Sequence, residues 1–153
     1  IHLKGALLST ANHVQVTQPV VEKLQTELNP HKATGPVNIP TRFLMECAKD
    51  ISRALPVVFQ VSLHQGTMPD DWKKSMVTSI FKKGDRSSAS NYRPISLTSV
   101  CSKIMEHILY TQIMHHVAKF DILHDSHHGF RKKRSCETQL ILTLHDLATR
   151  LDG

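Results

Sequence analysis

The spacing of apolar residues predicts helices in the first half of the chain. Apolar side chains recur every three or four positions over residues 20–28, where an Asn-Pro pair ends the pattern. Residues 32–40 contain two prolines and a glycine, which predicts a loop. Helical spacing then resumes after Pro40 and continues to Gly66, a residue suited to ending a helix. Pro56 is expected to break or kink this helix because proline has no amide hydrogen to donate.

A different pattern follows and predicts a β-hairpin. Residues 76–81 are rich in β-branched and aromatic side chains, and residues 84–90 form a polar, turn-rich loop. The return arm, residues 91–97, contains Pro94, which cannot donate a ladder hydrogen bond and therefore indicates an edge strand or a bulge.

Two further helical patterns occupy the rest of the chain. The first runs from Val100 to about Val117, and the second places leucines at 140, 144, 147 and 151. Residues 127–135 between them are expected to form a loop or a hairpin. Together these elements predict an α+β fold in which helices surround a small antiparallel hairpin sheet.

The composition suits one globular domain. The chain has 153 residues, of which 40% are hydrophobic and 21% are charged, and no apolar run approaches the roughly 20 residues of a membrane span. No membrane partner is therefore expected. The three cysteines fit neither a disulfide framework nor a C-x-x-C zinc pattern, which favours a reducing compartment.

Positive charge is concentrated in one part of the chain. Residues 72–136 carry twelve Lys/Arg against four Asp/Glu, a net charge of +8, whereas the whole chain carries +6. A basic stripe on a near-neutral body indicates a polyanionic partner, although a solvated basic surface without a partner gives the same pattern.

Both arms of the predicted hairpin carry fixed positive charge. Lys82 and Lys83 leave the first arm, and Arg93 enters the second. A lysine is a compact point charge, and an arginine fork binds two oxygen atoms at once, so the pair suits a polyphosphate. The sequence predicts that Lys82 and Arg93 lie on the same face, but spacing alone does not distinguish this site from a merely solvated hairpin tip.

Three stretches of the chain carry longer motifs. The run FKKGDRSSASNYRPISLTSVCSKIME has K-G-D and Y-R-P-I-S-L-x-x-x-x-x-K-x-x-E patterns and resembles the first fingers motif of reverse transcriptases encoded by non-LTR (LINE-type) retrotransposons. HGFRKKRSCETQ resembles the next motif, G-F-R-x-x-R-S, and KATGPVNIP resembles the upstream K-A-x-G-P-D-G-I-P. This chain has Val37 and Asn38 where the family has Asp-Gly, which puts the turn of that loop in question.

The resemblance implies roles for two sets of residues. Lys82 and Arg93 are expected to grip the triphosphate of the incoming deoxynucleoside triphosphate. The path of the template and nucleotide is expected to be lined by Gly129, Arg131, Lys132, Lys133, Arg134 and Ser135. The implied partners are an RNA template and a DNA primer, and the implied location is intracellular, nuclear or cytoplasmic.

The resemblance also implies a catalytic part that these residues do not supply. The family holds two Mg²⁺ ions on aspartates of an F-x-D-x-x-K-A-F-D block and an F-A-D-D block, and neither block occurs in the 153 residues. The chain is thus interpreted as a fingers-side fragment that is inactive alone, with palm and thumb absent and with no catalytic or metal-binding residue of its own. Mg²⁺ is expected only in the full-length enzyme.

The predicted organisation is an upstream segment over residues 1–16, a helical lead-in over 17–74 and the two fingers motifs over 75–153. The alternative function is a non-catalytic basic module that binds RNA or DNA. A zinc site in HDSHH, residues 124–128, is less favoured because no cysteine pair accompanies it.

Overall fold

The computed structural model describes residues 14–151 and shows an α+β arrangement of helices with one two-stranded antiparallel hairpin. The helices are α1 (Gln18–Thr26), α2 (Thr41–Glu46), α3 (Ala48–Gln65), α4 (Asp70–Lys73), α5 (Val100–Lys119) and α6 (Cys136–Leu151). The strands are β1 (Ser75–Phe81) and β2 (Tyr92–Thr98). Between residues 14 and 151, no helix combines the length and hydrophobicity that a membrane crossing requires.

The chain divides into two compact units, and the boundary follows Gln112 within α5. The core of the first unit is built from apolar faces of α1, α2, α3 and α5. Phe59 of α3 is fully buried and contacts the half-buried Trp72 edge to face, with ring centroids 5.4 Å apart. Burying a side chain of this size contributes about 1.5–3 kcal/mol. The core therefore rests on non-local packing of helices that would be marginal in isolation.

Of the predicted break or kink at Pro56, the break is wrong, because α3 continues through this residue. The interruption lies instead at Cys47, whose ψ of 17° separates α2 from α3. A proline inside a helix costs about 3 kcal/mol, but Pro56 is itself buried, so tertiary packing offsets the lost hydrogen bond. The predicted helix end at Gly66 is confirmed. Gly66 has a φ of 63°, and the Thr67 amide donates a hydrogen bond back to the Ser62 carbonyl.

The first described residues are bound to α3 rather than separate from it. The side-chain amide of Gln60 donates to the Val14 carbonyl at 3.3 Å, and its oxygen accepts the Val16 amide at 3.1 Å. Val14 is buried. The end of the predicted upstream segment therefore packs on the helical unit, while residues 1–13 of that segment lie outside the described residues.

The predicted hairpin is confirmed. β1 and β2 pair antiparallel in continuous register, from Ser75 opposite Thr98 to Phe81 opposite Tyr92. Pro94 lies in β2 opposite Ser79. Both strands of a two-stranded sheet are edge strands, where a proline without an amide hydrogen is tolerated. Most residues of both strands are exposed, so apolar side chains are accessible on both faces of the hairpin.

The second unit contains a loop followed by α6. The expected helix with leucines at 140, 144, 147 and 151 is present, but none of its described residues is buried. Residues 127–135 form turns and no strand, so the loop alternative is the correct one.

Candidate functional site

The register of the hairpin brings Lys82 and Arg93 to the same face. Arg93 stands directly opposite Ile80, and opposite residues of an antiparallel pair share a face. The Lys82 amide donates to the Asn91 carbonyl at 2.8 Å, which extends the ladder by one residue beyond Phe81. Because side chains alternate along a strand, Lys82 lies on the face of Ile80 and hence of Arg93.

These cations are available to a ligand. Lys82, Lys83 and Arg93 are exposed, and no carboxylate within residues 14–151 forms an ion pair with them. A hollow of about 450 Å³ along the hairpin is lined by Ser79, Tyr92 and Pro94 and therefore opens on the opposite face. A ligand bound by Lys82 and Arg93 would thus lie against an open strand surface.

The hairpin tip is held by its own polar groups. The Asp85 carboxylate accepts the Ser87 amide at 2.9 Å, and this bond lowers the pKa of Asp85. The Asn91 side-chain amide donates to the Asp85 carbonyl at 2.8 Å and packs against Gly84, where φ is 92°. A β-carbon on Gly84 would lie 2.8 Å from the Asn91 amide nitrogen, so the turn itself favours the glycine of the K-G-D pattern.

An aromatic pair stabilises the base of this tip on the face opposite Lys82. Phe81 and Tyr92 contact edge to face with centroids 5.5 Å apart, and the Arg86 guanidinium lies 5.0 Å from the Phe81 ring centroid. The Tyr92 hydroxyl donates to the Arg86 carbonyl at 2.9 Å. The sequence interpretation missed these roles, although the aromatic residue at the end of each arm was the available signal.

The second predicted site is the basic loop, which we define as residues 129–135. Two of its arginines are directed at neighbouring carbonyl groups. Arg131 donates to the His124 carbonyl at 3.2 Å. Arg134 donates to the Asp125 carbonyl at 2.9 Å and pairs with the Asp125 carboxylate at 3.3 Å. Both guanidiniums therefore hold the loop together.

Ser135 has a structural role as well. Its hydroxyl accepts the Thr138 amide at 3.2 Å, and the Thr138 hydroxyl accepts the Ser135 amide at 2.9 Å. These reciprocal bonds form a capping box at the start of α6. The S-x-x-T spacing before an apolar helical run was the signal for this role.

The remaining members of the basic loop point outward. Lys132 and Lys133 have no carboxylate partner among the described residues, and Lys133 is exposed in a left-handed backbone conformation with φ 63°. Phe130 is 98% exposed. A β-carbon on Gly129 would meet nothing closer than the His127 ring at 4.0 Å. Of the six residues predicted to line the template path, the two lysines are thus the cations left free for a polyanion.

The loop that resembles K-A-x-G-P-D-G-I-P keeps its turn despite the departure at Val37 and Asn38. The Asn38 amide donates to the Gly35 carbonyl at 3.0 Å, and Asn38 adopts a φ of 52°. Asparagine tolerates this left-handed conformation better than other non-glycine residues, so it replaces the glycine of the family pattern at modest cost.

No metal centre is formed by the described residues. Asp70 and Asp71 pair with Lys73 and Lys74, each at 2.9 Å, and no three His, Cys, Asp or Glu side chains in residues 14–151 are arranged to hold an ion. In the HDSHH stretch, the His124 ring instead accepts the Ser126 amide at 3.2 Å. These residues therefore do not fit the Mg²⁺ ions that the resemblance implies for the complete enzyme.

Comparison with known proteins gives one informative match. No family model matches the chain. A probable RNA-directed DNA polymerase from transposon BS of Drosophila melanogaster is 33% identical over 95 residues, which is 61% of this chain. The match covers only 10% of that relative's length. The chain is therefore similar to a small part of a transposon reverse transcriptase.

Proposed function

We propose that the chain contributes the fingers segment of an RNA-directed DNA polymerase from a non-LTR retrotransposon, in which Lys82 and Arg93 grip the triphosphate of the incoming nucleotide. The observation that carries this proposal is their position on one face of a hairpin whose tip is tied by side-chain hydrogen bonds. Neither cation is neutralised by a carboxylate of the described residues. The similarity to the transposon BS polymerase supports the same class of function.

We infer two roles within the basic loop. Lys132 and Lys133 contact the phosphates of the template or primer, because their ammonium groups are exposed and unpaired within residues 14–151. Arg131 and Arg134 position these lysines through hydrogen bonds to the carbonyl groups of residues 124 and 125, and Ser135 does so at the start of α6. These five residues thus act together, but only the two lysines make the principal ionic contacts.

Nucleotide binding is tested by titrating the ¹⁵N-labelled chain with a deoxynucleoside triphosphate and, separately, with the corresponding nucleoside. We expect the triphosphate alone to shift the amide resonances of Lys82 and Arg93. Arg93→Ala should weaken binding about tenfold, which corresponds to about 1.4 kcal/mol for a lost charge-assisted contact. Lys83→Ala removes an equal charge from the neighbouring position and serves as the control. Equal weakening in both variants would show that the triphosphate senses only the general charge of the hairpin.

Nucleic-acid binding is tested by the salt dependence of affinity for single-stranded RNA. Each phosphate neutralised contributes about 0.7 to the slope of log affinity against log salt, so Lys132→Ala/Lys133→Ala should flatten the slope by about 1.4. Lys49→Ala/Arg53→Ala removes two exposed charges from α3 and should leave the slope unchanged. A similar loss in both double variants would contradict a specific role for the basic loop.

The alternative function, a non-catalytic basic RNA- or DNA-binding module, draws its support from the same two free lysines. It predicts salt-dependent binding to nucleic acid without any response to a triphosphate. Under either function the 153 residues should extend no primer on an RNA template, because they lack the aspartate blocks that hold Mg²⁺ in the family. Primer extension by this chain alone would refute its interpretation as a segment without catalytic residues.

A further inference from the structure

We propose that His128 is a pH-sensitive positioning residue, which holds the basic loop in its observed conformation only while its imidazole is neutral. The inference deepens the proposed function, since it concerns the loop that carries Lys132 and Lys133. His128 is 6% exposed and lies between Arg134 and Thr138. Its two ring nitrogens thus contact the loop on one side and the first turn of α6 on the other.

The contact with Arg134 fixes the protonation state of the ring. The Arg134 Nη1 atom lies 3.1 Å from Nε2 of His128. A guanidinium has donors and no acceptor, so Nε2 must accept and carries no hydrogen. A neutral imidazole then has its single hydrogen on Nδ1. The observed geometry therefore requires the neutral Nδ1–H tautomer.

The contact with Thr138 agrees with the same tautomer. The Thr138 hydroxyl donates its one hydrogen to the Ser135 carbonyl at 2.9 Å and accepts the Ser135 amide at 2.9 Å. Its remaining lone pair can accept the Nδ1 hydrogen of His128, since the two atoms lie 2.9 Å apart. Every donor in this cluster meets an acceptor only when His128 is neutral.

Protonation would place a new N–H at Nε2, directed at the Arg134 guanidinium and shielded from water. Arg134 opposes that charge. Asp125, which pairs with Arg134 at 3.3 Å, and Asp146 of α6 favour it, and both carboxylates line a 190 Å³ cavity together with His128. The Arg134 contact must open when the ring is charged, because two donors cannot face each other at 3.1 Å. The Arg134 side chain would then keep its bonds to Asp125 but lose its link to the buried ring, which loosens the basic loop around it.

The first test measures the wild-type chain itself by ¹⁵N spectroscopy of the histidine rings and by amide hydrogen exchange. We expect the neutral Nδ1–H form of His128 while the loop is closed, and faster exchange of the Arg134 amide, which donates to the Arg131 carbonyl at 3.4 Å, wherever the ring spectrum shows a protonated His128. An Nε2–H tautomer, or protection that persists after protonation, would overturn the inference.

The second test compares two variants that each lose one titratable ring. His128→Gln keeps an oxygen that can accept from Arg134 but cannot be protonated, and His145→Gln alters an exposed histidine of α6. From about pH 7.5 to about pH 5.5, RNA affinity of the wild type should fall about fivefold relative to His128→Gln, as expected for one lost hydrogen bond of about 1 kcal/mol. His145→Gln should follow the wild type.

An identical pH response of the two variants would refute the role of His128. If His128→Gln fails to fold, the ring spectroscopy of the wild-type chain still decides the question. If the wild type binds RNA without any contribution from Lys132 and Lys133, the proposed function of the basic loop fails, whereas the tautomer and the exchange data still test the His128 contact separately.

Discussion

Replacing Gly35 by alanine tests how the upstream loop is joined to the hairpin. Gly35 is buried where this loop passes the end of β2. A methyl group on Gly35 would lie 2.5 Å from the Thr98 carbonyl oxygen, 2.7 Å from the Thr98 carbonyl carbon and 2.9 Å from the Ser99 amide nitrogen. All three atoms belong to the backbone, so no side chain can rotate away to make room, and the two chain segments must separate.

The magnitude follows from the cost of inserting one methyl group into a closely packed site. Such overpacking costs about 1–3 kcal/mol, and each kcal/mol lowers Tm by about 2–4 °C for a chain of this size. We therefore expect Gly35→Ala to lower Tm by about 2–12 °C, measured by circular dichroism during heating. Urea denaturation should show the free energy of unfolding lowered by about 1–3 kcal/mol. Gly129→Ala is the matched control, because the nearest atom to its added methyl group is 4.0 Å away. Equal stability of the two variants would refute the close approach at Thr98.

Three further predictions concern individual side chains. Ser135→Ala removes the N-cap of α6 and should cost about 1 kcal/mol, seen as faster amide exchange in the first turn of that helix, whereas Ser135→Asp should retain most of the protection. The bond from the Ser87 amide lowers the pKa of Asp85, so it stabilises the hairpin tip above about pH 4, the ordinary carboxyl range, and this stabilisation is lost as the pH falls below that range. The Ser87 amide resonance should therefore change with pH in the wild type and not in Asp85→Asn. Cys136 is exposed, whereas Cys101 is buried and burial raises the pKa of its thiol, so a maleimide should label Cys136 first; simultaneous labelling would contradict the packing of α5.

Local pattern in the sequence was sufficient to predict the hairpin and the position of most helices. The hairpin follows from β-branched arms on either side of a Gly-Asp turn. The turn sets which residues of the two arms pair. The same alternation placed Lys82 and Arg93 on one face, because strand geometry relates neighbours of known spacing. The helix end at Gly66 was equally local, since it depends on one left-handed residue.

The tertiary structure decided which residues depart from these local rules. Pro56 was expected to break or kink α3, yet the helix runs through it without a break because buried packing outweighs one missing hydrogen bond. The sequence grouped Arg131, Arg134 and Ser135 with the lysines of the basic loop by charge and motif. Only three-dimensional contacts show that the arginines bind carbonyl groups of residues 124–127, whereas the S-x-x-T spacing already signalled the capping role of Ser135.

The same distinction applies to the polar cluster around His128. A histidine followed by a basic run does not reveal which atoms its ring will contact, because Arg134 and Thr138 lie six and ten residues away. The amino-acid sequence by itself determined the local elements and the concentration of positive charge, since both depend on neighbours along the chain. Only the tertiary structure determined which cations remain free, because that depends on acceptors which folding brings within hydrogen-bond distance.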